Sequence, residues 1–189
     1  MLWNGGIMIY LTEYDSVDRV HDRETEHRLG RELLHYVLGR EYGRSWEVVQ
    51  KGNGKPFLTG GPEIDFSIAH TKGLVVCGIS GKRIGVDVER IRQFDERLMR
   101  RICTEEERYF IEHERKTMTR EETFFRFWTL KESFLKATGQ GLAVPMREIG
   151  FSVRVKEKRL TDIRGPVPGW KHVQFRYRGS YIISMSEEE

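Results

Sequence analysis

The sequence predicts an α+β fold of two similar halves, each a small antiparallel sheet packed on a long helix. Alternating apolar and polar residues indicate strands with one buried face, most clearly over Ile84–Glu89. A thick aromatic face over Glu121–Thr138 indicates a long helix with one side in a core. A weak internal repeat points to the two halves: Arg31-Glu32 with Gly39 in one helix parallels Lys131-Glu132 with Gly139 in another.

Composition and charge narrow the function classes. The chain has 189 residues, of which 38% are hydrophobic and 11% aromatic, so it can bury a real core. A net charge of +3 is too mild for a nucleic-acid binder that works by bulk electrostatics. No apolar run approaches the ~20 residues of a membrane span, and we find no export signal. We therefore expect a cytoplasmic monomer without nucleic-acid or membrane partners.

The first quarter of the chain predicts a strand, a helix and a second strand. Ile7–Tyr14 has strand composition, and Val17–Gly39 has the apolar stripe of a helix with Gly39 as its C-cap. Glu41–Trp46 follows as a short helix or turn, and Val48–Gln50 as a strand. These elements supply a sheet edge and its covering helix.

Two candidate ligand contacts follow, each at a turn. The turn-rich segment Gly52–Leu58 presents Lys55 on a stiff backbone, although it lacks the spacing of a P-loop. Ile64–His70 and Leu74–Ser80 are predicted as paired strands, with His70 at the end of the first. A surface lysine and a histidine that satisfies a local carbonyl are the ordinary alternatives.

The strand Ile84–Glu89 places two carboxylates on one face. Asp87 and Glu89 are two residues apart, and side chains at that spacing point the same way. Two like charges so close repel each other unless a cation compensates them, and Mg²⁺ prefers carboxylate oxygen. The alternative is a solvated edge strand with Arg90 and Arg92 as loose counter-ions.

The second half continues with helices. Arg92–Arg101 is basic and helical in composition, and Thr104 is placed to cap the next helix. Glu112–Glu122 is charged without an apolar stripe, which predicts an exposed helix end and loop. Glu121–Thr138 is the strongest helix, and Gly139 ends it.

One face of that strongest helix carries a second candidate group. Glu132 and Lys136 are four residues apart and share a face with Trp128, while Lys131 lies about 100° round the helix. Trp128 is expected to pack and fix the helix. The alternative for the charged residues is a surface ion pair worth a few tenths of a kcal/mol.

The last forty residues predict a strand, a loop and a hairpin. Gly150–Val155 is the strand, and Lys156–Trp170, rich in proline and glycine, is the loop. Val173–Tyr177 and Tyr181–Met185 alternate around a short turn and predict a closing hairpin.

Four motifs in succession resemble the 4′-phosphopantetheinyl transferases of the surfactin-synthetase-activating type. They are G-K-P at 54–56, S-I-A-H-T at 67–71, D-x-E at 87–89 and W-x-x-K-E-x-x-x-K at 128–136. D-x-E alone is common, but the ordered set is specific. The family usually has serine before the histidine, where this chain has Ala69 and so lacks one hydroxyl.

The resemblance implies both a fold and a reaction. It implies a pseudo-twofold pair of halves, with 1–82 contributing contacts to coenzyme A and 83–189 carrying the metal site and catalytic helix. It implies Mg²⁺-dependent transfer of the phosphopantetheine arm of coenzyme A, the co-substrate, to a serine of an apo acyl or peptidyl carrier protein. Adenosine 3′,5′-bisphosphate would be released. The carrier would serve fatty-acid, polyketide or nonribosomal peptide synthesis.

The resemblance also assigns roles by motif. It implies metal ligation by Asp87, Glu89 and Glu132, catalysis by Glu132 and Lys136, and pyrophosphate contacts from Lys131 and His70. For the adenosine and 3′-phosphate end we select Lys55 and Arg28, of which Arg28 lies on a helix without a distinctive motif. Glu132 or a water that it holds would be the base. Apart from the motifs, four arginines flank the strand of Asp87 and could meet an acidic carrier helix, with a solvated helix face as the equal alternative: Arg92, Arg97, Arg100 and Arg101.

Two other functions remain open at this point. A Mg²⁺-dependent pyrophosphate hydrolase would use water as its nucleophile and need no carrier protein. A non-catalytic module that binds coenzyme A or carrier proteins would bind its ligand without metal and show no turnover.

Overall fold

A computed structural model describes residues 2–4, 7–15, 23–50, 54–61, 63–114, 117–157 and 159–189. These residues form helices and small antiparallel sheets, which confirms the predicted α+β class. No helix among them combines the length and the apolar character needed to cross a bilayer.

The N-terminal half is a sheet covered by one long helix. Its elements are β1 (Leu2–Asn4), β2 (Ile7–Glu13), α1 (Arg23–Tyr42), β3 (Glu47–Val49), β4 (Phe57–Thr59), β5 (Asp65–Thr71) and β6 (Leu74–Ser80). β1, β2, β6 and β5 lie side by side in that order, all antiparallel, and β3 pairs with β4 separately. The apolar stripe of α1, including Leu34 and Val37, packs in a core with Phe66 and Val75 of the sheet.

The C-terminal half repeats the plan with a three-stranded sheet. Its elements are β7 (Ile84–Arg90), α2 (Glu96–Ile102), α3 (Glu105–His113), α4 (Arg120–Thr138), β8 (Ser152–Lys156), β9 (Arg159–Arg164), β10 (Trp170–Tyr177) and β11 (Tyr181–Glu188). The strand order is β10-β11-β7, and α4 packs on β7 and β11. Thr104 caps α3 in a capping box with Glu107, as its position predicts.

β7 joins the two halves because both of its faces are covered. Ile84, Val86 and Val88 lie in a core shared with residues of the first sheet. The opposite face meets α4 so closely that a Cβ at Gly85 would lie 1.9 Å from the carbonyl oxygen of Ser133. Glycine at this position lets the helix backbone sit directly on the strand. Asp87 and Glu89 follow Gly85 at two-residue spacing, so their side chains lie on the same face of β7, the face that packs on α4.

The structure corrects two predicted elements. Helix α1 runs past Gly39, whose carbonyl accepts a hydrogen bond from the Gly43 N–H, and the left-handed residue after the helix is Gly43. The predicted loop 156–170 contains β9, which pairs with β8 in a ribbon with a register shift. β8 alternates regularly between exposed and half-buried residues, but β9 does not, because two consecutive residues in its middle are exposed. The predicted start of α1 at Val17 lies outside the described residues.

Candidate active site

A cleft of about 250 Å³ opens between the two halves. Its walls are Gly54, Lys55, Pro56, Phe66, Ser67 and Ile68 from the first half, and Leu135, Lys136, Gly139 and Gly141 from the second. Lys55 and Lys136 therefore face one space from opposite sides. The two lysines are cations suited to an anionic ligand.

Asp87 of β7 meets Lys136 of α4 beside this cleft. Lys136 Nζ donates to Asp87 Oδ1 at 2.6 Å, and the two side chains are 31% and 9% exposed. The other oxygen, Asp87 Oδ2, is buried and has no hydrogen-bond partner within the described part of the chain. A buried carboxylate oxygen without a donor is costly, so this atom is available to a cation.

Glu132 and Glu89 share the surroundings of Asp87. Burial, and then the charge of Asp87, raises the pKa of Glu132 to about 7; Glu89 adds to this effect and Lys136 opposes it. The pKa of Glu89 is also raised, first by burial and then by Asp87, although Arg92 lies 2.6 Å from its carboxylate. The three carboxylates thus lie within electrostatic reach of one another.

The three carboxylates do not form a finished metal site as they stand. Over the described residues, no group of three or more His, Cys, Asp or Glu side chains is arranged to hold a metal ion. Asp87 is paired with Lys136 and Glu89 with Arg92. The donor chemistry nevertheless fits Mg²⁺, because the ligands would be carboxylate oxygens whose mutual repulsion a divalent ion relieves.

Lys55 is anchored to the start of β5 and to the start of β7, the strand that carries Asp87 and Glu89. Its Nζ donates to a carboxylate oxygen of Asp65 and to the carbonyl of Ile84, the latter at 2.6 Å. Asp65 also accepts the Ile84 N–H at 2.9 Å. Burial lowers the pKa of Lys55, and Asp65 acts in the opposite direction. Sequence reasoning did not identify Asp65, because its partners, Lys55 and the N–H of Ile84, lie ten and nineteen residues away in the chain.

His70 lies at the end of β5, with its Nδ1 2.9 Å from Glu26 Oε2. Ile68, two residues earlier on β5, lines the cleft, and side chains at that spacing share a face of the strand, so the imidazole lies next to the described lining without belonging to it. Burial lowers the pKa of His70, and the charge of Glu26 opposes this effect. Glu26 is wholly buried on the face of α1 that also carries Gly30 and Leu34. A carboxylate on the apolar face of a helix is the sequence signal that could have identified it.

Lys131 is placed differently from its expected role, and the prediction of a pyrophosphate contact is wrong in this structure. The residue is fully buried. Its Nζ lies 2.5 Å from Glu107 Oε2 and donates to the carbonyls of Ile102 and Met146 at 2.6 and 3.0 Å. It fastens α4 to the start of α3 and is a structural residue.

Arg28 and Trp128 are the other residues for which the sequence predicted a role. Arg28 is exposed on α1 and pairs with Glu32 at 2.7 Å, one turn along the same helix; the described lining of the cleft does not include it. Trp128 packs against the rings of Phe124 and Phe125 of the same helix and lies partly buried against the core of the C-terminal half.

The matched family model is described as the 4′-phosphopantetheinyl transferase superfamily and covers residues 83–186, more than half of the chain. The chain belongs to this superfamily. The match spans β7, α4 and β11, the elements that hold Asp87, Glu132 and Lys136. The family suspected from the four motifs is thereby confirmed.

Named relatives agree with the family. A 4′-phosphopantetheinyl transferase of Bacillus subtilis is 29% identical over 78% of this chain and 67% of its own length. The 4′-phosphopantetheinyl transferase gsp of Aneurinibacillus migulanus is 36% identical over 49% and 38%. The L-aminoadipate-semialdehyde dehydrogenase-phosphopantetheinyl transferase of Xenopus laevis is 35% identical over 66% and 46%.

The chain thus spans about two thirds or less of the length of these relatives. A solved structure, the holo-[acyl-carrier-protein] synthase of Thermotoga maritima, aligns over 56% of this chain and 62% of its own. The TM-score is 0.43 at 20% identity, too low for any conclusion.

Proposed function

We propose that this superfamily member transfers the 4′-phosphopantetheine group of coenzyme A to a serine of an apo acyl or peptidyl carrier protein. The reaction depends on Mg²⁺ and releases adenosine 3′,5′-bisphosphate. The observation that carries the proposal is the meeting of Asp87 on β7 with Lys136 on α4 beside the cleft. The family match supports the reaction class.

Asp87, Glu89 and Glu132 would hold the Mg²⁺. The unpartnered Oδ2 of Asp87 and the raised pKa values of the other two carboxyls support this assignment within the described chain. When bound, the ion would neutralise charge that the diphosphate gains during transfer.

The chain's own groups would handle the protons. The serine oxygen attacks the phosphorus that bears the pantetheine arm, and the bond from that phosphorus to the oxygen of the bisphosphate breaks. Glu132, or a water that it holds, would accept the serine proton; a carboxyl with a pKa near neutrality suits this role. Lys136 would stabilise or protonate the leaving phosphate.

Three other residues are assigned to separate parts of coenzyme A. Lys55 and Arg28 would contact the adenosine and 3′-phosphate end, and His70 would contact the diphosphate. Carrier docking is assigned to the exposed arginines Arg97 and Arg100 of α2, with Arg92 and Arg101, which suit an acidic helix.

The division into 1–82 for ligand contacts and 83–189 for the metal site and catalytic helix stays a prediction. So do the cytoplasmic location, the monomeric state and the absence of nucleic-acid and membrane partners.

Mass spectrometry of carrier proteins tests the proposal. The protein is incubated with coenzyme A, Mg²⁺ and a panel of apo carriers from fatty-acid, polyketide and peptide synthesis. We expect at least one carrier to gain the mass of phosphopantetheine. Release of the bisphosphate without any carrier would favour a hydrolase. Metal-independent binding of coenzyme A without turnover would favour a binding module.

A further inference from the structure

The imidazole of His70 lies against a carboxylate that has no contact with solvent. Glu26 is 0% exposed, and its Oε2 is 2.9 Å from His70 Nδ1. Its other oxygen, Oε1, accepts a hydrogen bond from the Tyr14 hydroxyl at 2.5 Å. Burying a carboxylate costs several kcal/mol unless it is paired, so Glu26 is held by partners from β5 and from the end of β2.

The other groups around His70 all disfavour its protonated form. Burial has the largest effect and lowers the pKa of His70. His27 on α1, whose ring centroid is 5.1 Å away, and Lys136 on α4 act in the same direction. Of the groups that the described structure places around His70, Glu26 is the one whose charge favours the imidazolium. The buried negative charge of Glu26 therefore favours the imidazolium of His70, which burial and the other neighbouring groups disfavour.

The geometry also decides which ring nitrogen is left for a ligand. Nδ1 is the ring nitrogen beside Glu26, 2.9 Å from its Oε2 in an ion-pair contact that lacks the alignment of a hydrogen bond, and the two nitrogens of an imidazole point in different directions. His70 is 26% exposed and follows Ile68, a residue of the cleft wall, by two residues on β5, so the two side chains share a face of the strand. Nε2 is thus the nitrogen that can reach an anion in the cleft.

We propose that Glu26 is a positioning residue for the anionic ligand: it fixes the ring of His70 and stabilises its imidazolium, so that Nε2–H donates to a diphosphate oxygen. His70 takes its proton from water as the ligand binds. Tyr14 keeps the carboxylate of Glu26 in place. The inference rests on the proposed function, since that function supplies the diphosphate.

Calorimetry and NMR on the whole chain test this role. Coenzyme A is titrated with Mg²⁺ present, in buffers of different ionisation enthalpy, which counts the protons taken up. Imidazole ¹⁵N shifts report the protonation of His70 directly. We expect the wild type to take up protons at His70. Glu26→Gln, which keeps the shape but not the charge, should take up fewer and bind coenzyme A about tenfold more weakly.

Kinetics and a matched control separate positioning from a structural role. The KM for coenzyme A should rise in Glu26→Gln while kcat and the KM for the carrier change little. Glu24→Gln removes an exposed acid from the same helix turn and should bind coenzyme A as the wild type does. Tyr14→Phe leaves the carboxylate in place and should give an intermediate loss of affinity.

The outcomes separate this inference from the proposed function. Wild-type binding without protonation of His70 overturns the inference, even if Glu26→Gln fails to fold. Unchanged affinity and proton uptake in a folded Glu26→Gln overturns it as well. Proton uptake at His70 on binding coenzyme A, with no carrier modified, would support Glu26 in its role and refute the transferase proposal alone.

Discussion

Replacing Lys131 with methionine should destabilise the protein without weakening its affinity for coenzyme A. The methionine keeps most of the aliphatic volume but removes the ammonium group that lies 2.5 Å from Glu107. Glu107 is 1% exposed, so the change leaves a carboxylate buried without its counter-charge.

The size of the effect follows from the contacts that are lost and kept. The carbonyls of Ile102 and Met146 lose their shared donor. Glu107 keeps two backbone donors at 2.9 Å, the N–H groups of Thr104 and Phe151, which softens the loss. Removing one partner of a buried pair costs ~3–5 kcal/mol, and we expect a decrease in unfolding free energy in that range.

The decrease in unfolding free energy caused by Lys131→Met should depend on pH in a defined direction. Burial already raises the pKa of Glu107, and Lys131 is the first group that opposes it. Without Lys131 the folded-state pKa rises further. A carboxyl with a raised folded-state pKa contributes stability below its unfolded pKa and loses it as the pH rises through the folded value. The difference from the wild type should therefore be largest at neutral pH and shrink toward about pH 4.

Equilibrium unfolding in denaturant, followed by tryptophan fluorescence between pH 4 and 8, measures this difference. The double variant Lys131→Met with Glu107→Gln removes both charges and should be less destabilised than Lys131→Met alone. Unchanged stability at pH 7 together with weaker binding of coenzyme A would refute the reasoning and return Lys131 to the cleft.

Three further predictions concern other parts of the molecule. Gly85→Ala should cost several kcal/mol, roughly 3–5, because its Cβ would meet α4 backbone at 1.9 Å, whereas Gly81→Ala, with nothing within 4 Å, should be neutral in thermal unfolding. Asp87→Ala should abolish carrier modification while circular dichroism stays unchanged, and wild-type transfer that persisted in chelator would contradict the metal role. Burial lowers the pKa of His172 to about 4. The unfolding free energy should therefore decrease as the pH falls from about 6.5 toward 4, by at most ~1.4 kcal/mol per pH unit. His172→Gln should flatten that loss in acid unfolding curves, and a slope equal to the wild type's would count against it.

Local patterns gave much of the fold in advance. The alternation over β7, the cap at Thr104 and the closing hairpin all depend on residues near one another in the chain, and the structure contains each of them. The end of α1 and the strand β9 were missed. Gly39 has the residue type of a cap, but the helix gains another turn, and β9 is defined by pairing with β8 more than by its own alternation.

The candidate site was predictable only where the spacing of residues within one strand or one helix fixes which side chains share a face. Two-residue spacing on a strand places Asp87 beside Glu89, and four-residue spacing on a helix places Glu132 above Lys136. Helical geometry also puts Lys131 about 100° away, but it does not reveal what packs there. The answer comes from three places: Glu107 on α3, the carbonyl of Ile102 at the end of α2, and the carbonyl of Met146 in the turn after α4.

The sequence by itself determined the family, the main elements and which faces carry the chemical groups, because those depend on residue type and on the fixed periods of helix and strand. Only the tertiary structure decided the partners: Asp87 with Lys136, forty-nine residues apart, and Glu26 beneath His70. Charges in a folded interior are stabilised by whichever groups the packing of distant elements brings within about 3 Å, and no local pattern encodes that distance.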